Sequence, residues 1–118
     1  MRGGPDNALG SDTVRSPLPS DWETLMSSTL YMVIERFKNG DPLPVYRRFR
    51  ERGRMAPEGL NYISSWVDHG LACCYQVMEA PDRALLDQWM ARWSDLVDFE
   101  VHRVITSEEA VEKVGPLL

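Results

Sequence analysis

A chain of 118 residues with 43% hydrophobic content has material for one globular domain and not for two. Its formal net charge of −5 excludes a general attraction to nucleic acid or to an anionic membrane surface, and no apolar run approaches the roughly 18 residues of a membrane span. Cys73 and Cys74 are neighbours that point to opposite faces on a strand, and neither stands at metal-ligand spacing from a histidine, so neither a disulfide framework nor a zinc site is expected.

Residues 1–28 hold Gly3, Gly4, Pro5, Gly10, Pro17 and Pro19 among Ser, Asp and Asn. Such a composition buries too little apolar surface to offset its ordering entropy, and a flexible arm is expected, with a short docked turn at Trp22 and Leu25. The opening Met1-Arg2-Gly3-Gly4-Pro5 lacks the apolar core of a signal peptide, which points to a cytoplasmic protein. Residues 29–118 then form the folded domain.

Thr29 to Phe37 is rich in β-branched and aromatic residues, and both of its parities are largely apolar, as in a strand covered on two sides. Lys38-Asn39-Gly40-Asp41 signals a turn. Pro42 and Pro44 suit the first turn of a helix over Val45 to Gly53, whose inner face carries Val45 and Phe49 and whose end is Gly53. Leu60 to Val67 predicts a second strand, with Tyr62, Ser64 and Trp66 on one parity. Asp68-His69-Gly70 predicts a hairpin loop, and Leu71 to Met78 its antiparallel partner. Pro81-Asp82 opens a second helix, in which Leu85, Trp89 and Trp93 recur at helical spacing. Asp98 to Ile105 alternates as a fourth strand, and Thr106 with Glu109 caps a short tail helix.

Strand, helix, strand, strand, helix, strand is the split βαβ order of an α+β, ferredoxin-like βαββαβ fold with a four-stranded antiparallel sheet. Helices on one face leave a second apolar face, which a second copy would cover, giving a homodimeric α+β barrel.

Met32-Val33-Ile34-Glu35-Arg36-Phe37, Gly53-Arg54-Met55 with Pro57-Glu58-Gly59, Ser65-Trp66-Val67-Asp68, Cys74-Tyr75-Gln76-Val77-Met78-Glu79 and the run from Trp89 to Glu100 carry a resemblance. The stretch from Leu30 to Thr106, about two thirds of the chain, resembles the domain of unknown function 3303 family within the dimeric α+β barrel superfamily. The resemblance implies the fold and leaves the activity open. By analogy the superfamily implies a cofactor-independent monooxygenase, isomerase or cyclase of aromatic and polyketide metabolism, a haem-binding protein, or a module that binds ligand without turnover.

Glu35 and Arg36 are charges inside an apolar strand, so they either pair across the sheet or face a polar pocket. His69 beside Asp68 could transfer protons or be a plain turn residue. His102 could serve as base or haem ligand, or could be a hydrogen-bonded or interface histidine. Tyr62, Trp66 and Tyr75 could line a slot for a flat apolar ligand or form core, while Trp89 and Trp93 belong to core or interface. Cys74 is a nucleophile only with a base nearby and otherwise inert packing. The basic run from Arg36 to Arg54 could grip a phosphate or carboxylate, or pair with the acidic C-terminal half. The expectation is a small enzyme acting on an apolar cyclic or polyketide-like metabolite. Glu35, Arg36, His69 and His102 supply its acid–base groups, Tyr62, Trp66 and Tyr75 the ligand surface, and no cofactor or metal takes part.

Overall fold

The computed structural model of the protein describes residues 28–118. The arm expected over residues 1–28, with its turn at Trp22 and Leu25, therefore lies outside the described residues save for Ser28. Strand β1 (Thr29–Phe37) has the β-branched and aromatic content that suits a pleated, covered surface. Its alternation is sharp: Tyr31, Val33, Glu35 and Phe37 are buried, Leu30, Met32 and Ile34 half-buried, and Arg36 exposed. A turn of 3-10 helix at Lys38–Gly40, with Asn39 and Gly40 both at positive φ, redirects the chain into α1 (Leu43–Arg52). That helix starts two residues before the expected Val45, because Pro44 falls in its first turn, where no backbone donor is needed.

Strand β2 (Asn61–Val67) and strand β3 (Cys73–Ala80) form the hairpin. Strand β3 begins two residues later than the expected Leu71, since Leu71 lies at φ 63°, outside the extended region. Asp82 caps α2 (Arg83–Ala91) by accepting the Ala84 N–H, strand β4 (Val97–Val104) follows, and a capping box between Thr106 and Glu109 starts α3 (Ser107–Val114). The sheet is antiparallel in the order β2-β3-β1-β4, which puts the first strand at the centre, as the βαββαβ reading requires.

One face of this sheet builds the core. Val33, Met78 and Val97 from the strands meet Leu86 from α2, and all four are fully buried. Each contributes roughly 1.5–3 kcal/mol of burial free energy. Val45 of α1 and Trp89 of α2 join the same cluster, so both helices cover this face. The opposite face carries Leu30, Met32, Ile34, Val77 and Glu79, half-buried, with Trp66 and Tyr75 exposed, and none of these side chains belongs to the buried core.

A β-bulge between Tyr62 and Ser64 alters the expected parity of β2. Tyr62 pairs with Met78 and Ser65 with Gln76, which puts both on the helix side of the sheet, whereas Trp66 pairs with Tyr75 on the open side. An unpaired extra residue reverses the alternation after it, so Tyr62 and Trp66 face opposite ways despite their even spacing.

Candidate active site

Between the sheet and its helices lies a cleft of about 180 Å³, open on one side. Its floor is sheet. Glu35 rises from β1, Cys74 stands opposite it on β3, and Gln76, Ser65 and Val67 complete the polar and apolar floor. Val45, Tyr46 and Phe49 of α1 form one wall, and Trp89 and Trp93 the other. These contributions follow from strand period: Glu35, Cys74 and Gln76 all have the parity of the buried core.

Glu35 dominates the electrostatics. It is 8% exposed, and its Oε2 is buried without a hydrogen-bond partner among the described residues. Burial penalises the carboxylate and lifts its pKa from 4.5 to about 7, while the nearby Arg54 guanidinium pulls the other way. A carboxyl poised at neutral pH gives and takes a proton with equal ease. Burial also pushes the Cys74 thiol up to about 12, helped by the Glu35 charge, so Cys74 is thiol and not thiolate near neutrality. The Tyr46 hydroxyl is raised by burial, then by Cys74 and Glu35, and is a hydrogen-bond donor in this range.

Arg54 reaches the cleft from a short strap after α1. Gly53 ends that helix at φ 69°, a conformation that favours glycine, and Met55 holds a positive φ of 61°. Three bonds pin the strap down. The indole N–H groups of Trp89 and Trp93 both donate to the Arg54 carbonyl, at 3.0 and 2.9 Å, and Arg92 Nη1 donates to the Met55 carbonyl at 2.6 Å. The two tryptophans therefore wall the cleft and anchor its rim. The Arg54 guanidinium lies over the Tyr62 ring at 3.8 Å and near the Phe49 ring at 5.3 Å.

The other predicted site residues lie elsewhere. Arg36, next to Glu35 in sequence, points to the open sheet face. There its Nη1 donates to Glu100 Oε1 at 2.7 Å, and His102 Nε2 lies 2.5 Å from Glu100 Oε2. Bonds from His102 and Arg36 hold the Glu100 carboxyl below its ordinary range. This exposed cluster is separated from the cleft by the sheet. His102 is not among the residues that line the cleft, and its Nε2 is engaged by Glu100. Trp66 and Tyr75 share that open face. His69 is exposed in the hairpin loop, where Asp68 accepts the Gly70 N–H at 2.9 Å and so serves the turn. Tyr62 touches the site through Arg54. Among the described residues no three His, Cys, Asp or Glu side chains gather as a metal site would need.

Of the basic run, Arg48 makes a two-pronged contact with Asp95 at 2.8 and 2.6 Å, and Lys38 meets Asp98 at 3.1 Å. These are pairings with the acidic C-terminal half. Tyr46, Gln76 and Arg54 are cleft residues that sequence reasoning did not single out. A polar Gln76 among the apolar Cys74 and Met78 of one parity was the available signal for one of them.

No helix of the described residues is long and apolar enough to cross a membrane. The family model described as Domain of unknown function (DUF3303) matches residues 29–118, and the chain belongs to that family. No curated protein and no solved structure matches the chain.

Proposed function

We propose that this member of the domain of unknown function 3303 family is a small cofactor-independent enzyme of isomerase or cyclase type, in which Glu35 moves a proton on an apolar cyclic metabolite. The observation that carries the reading is the Glu35 carboxyl itself: buried, without a partner for Oε2, and opening onto a mostly apolar cleft. Structural carboxylates are paired, and an unpaired one in a cleft is a functional-site signature. In the proposed step the Glu35 carboxylate takes a proton from carbon next to a ring carbonyl. The C–H bond breaks, the electron pair moves into an enolate, and the proton rests on Glu35 until it is returned at another carbon. The Tyr46 hydroxyl is the cleft group suited to the enolate oxygen.

Proton transfer at carbon is read without knowing the product. The protein is incubated in D2O with a panel of monocyclic ketones and ring 1,3-dicarbonyls, and loss of the C–H signal is followed by NMR. Wild-type protein should accelerate exchange on at least one member, and Glu35→Gln should lose about 100-fold or more of it. Exchange that survives the substitution, or none on any member, would favour a module that binds its ligand without turnover.

The reading includes a homodimer in a cytoplasmic setting, where Cys73 and Cys74 remain free thiols. The second copy would sit on the open sheet face around Met32, Ile34 and Trp66. Two of the charged pairs on or beside that face close within the chain, Arg36 with Glu100 and Lys38 with Asp98, while the half-buried Glu79 on the same face has no ion pair among the described residues, so a second copy must leave that carboxyl at the rim of the contact. Sedimentation of wild-type protein and of Ile34→Lys should give a dimer and a monomer respectively.

A further inference from the structure

Arg54 differs from the other basic side chains around it. Arg36, Lys38 and Arg48 each have a carboxylate partner, and Arg47, Arg50 and Arg52, which have none among the described residues, are exposed to solvent. Arg54 has no ion pair among the described residues, and its side chain donates no hydrogen bond there. It is nonetheless half-buried, held over the Tyr62 ring at 3.8 Å while its own backbone is fixed by two indoles. A guanidinium fixed in this way keeps unused N–H donors at the rim of an apolar cleft. Glu35 does not use them: its Oε2 makes no hydrogen bond.

The cleft also limits size. A cavity of about 150 Å³ lined by apolar side chains holds one benzene molecule, and this one measures about 180 Å³. One six-membered ring with a small substituent fits that volume. Phe37, Val45, Trp89 and Trp93 offer the ring an apolar and aromatic surround.

We infer that the ligand of this cleft is a single flat ring bearing one carboxylate, with the ring between the aromatic walls and the carboxylate on Arg54. The inference rests on the reading of the cleft as the substrate site and adds the substrate's class. Planar guanidinium and planar carboxylate match in pairs of parallel hydrogen bonds, and the rings beneath Arg54 pre-orient the fork. Glu35 lies deeper, beside the ring, where a ring carbon would meet it.

The test is a titration of full-length protein with benzoate and with its neutral isostere benzamide, followed by calorimetry and by NMR contacts to the Trp89 and Trp93 indoles. Benzoate should bind at least about tenfold tighter than benzamide, as charge-assisted hydrogen bonds require. Arg54→Met should bring benzoate down to the amide's affinity, and Arg54→Lys should keep part of the preference. Equal affinities in the wild-type protein, no binding of either, or a preference that survives Arg54→Met would overturn the inference. The wild-type comparison decides even if a variant folds poorly. Glu35→Gln separates the two readings: it should abolish isotope exchange and leave the benzoate preference in place. A lost preference with intact exchange would remove only the carboxylate.

Discussion

Glu35 ties folding stability to pH in a direction opposite to most carboxylates. Its ordinary pKa of 4.5 applies in the unfolded chain, and burial raises it to about 7 in the folded one. Between those values the folded state holds a proton that the unfolded state has released. Stability must therefore fall as pH rises. The contribution is fully present below about pH 4.5 and is lost as pH climbs through about 7, with a steepest slope of about 1.4 kcal/mol per pH unit. Across the whole window the loss is about 3 kcal/mol, a large share of the stability of a domain this size. At 8% exposure the side chain is too buried for solvent to cancel much of this. Urea unfolding of wild-type protein and Glu35→Gln should be measured from about pH 4 to pH 8. The amide is neutral throughout, so the difference between the two proteins isolates Glu35, and other titrating groups cancel. Glu35→Gln should gain about 3 kcal/mol relative to the wild-type protein over that range. Parallel pH profiles would refute the reasoning, because they would mean that the Glu35 carboxyl ionises in the folded state as freely as in the unfolded one.

Other features yield expectations of the same kind. Trp93→Phe removes an indole donor from the Arg54 carbonyl and opens space in the wall, which should cost about 1–3 kcal/mol in urea unfolding. Gly53→Ala meets no steric contact yet must hold φ 69°, so it should cost about 1–3 kcal/mol through backbone strain alone, read as a fall in melting temperature. Native protein titrated with a thiol reagent at mildly alkaline pH should spare Cys74, whose thiol is raised to about 12, so the Cys73→Ser variant should react only after unfolding.

The architecture was legible in the sequence because period-2 and helical patterns are local properties. Both helices, all four strands and the Thr106 cap could be placed from spacing and turn residues alone. Contacts between strands were less accessible. The bulge at Tyr62/Ser64 has no composition signal, and it alone decides that Tyr62 approaches Arg54 while Trp66 faces away. Leu71 looked like strand because it is apolar, but the hairpin needed a positive φ there. Arg54 looked like one more member of a basic run. Its distinction depends on the two indoles that reach its carbonyl from 35 and 39 residues away, a relation that no local pattern records.

The neighbouring charges Glu35 and Arg36 show what a strand's alternation can do at one point. Pairing across the sheet and facing a polar pocket were alternatives for the two residues together, and each residue takes one of them. Arg36 finds Glu100 on the open face, where solvent limits the energy of the pair. Glu35 turns to the other face and meets a thiol, a phenol and aromatic rings in place of a lysine or arginine salt bridge. One residue of displacement separates a solvated ion pair from an acid tuned to neutrality. A one-residue slip of β1 against β3 and β4 would put Arg36 in the apolar cleft and Glu35 outside it. The cost of burying that unpaired guanidinium opposes the slip, so the same alternation that creates the Glu35 site also protects the register on which it depends.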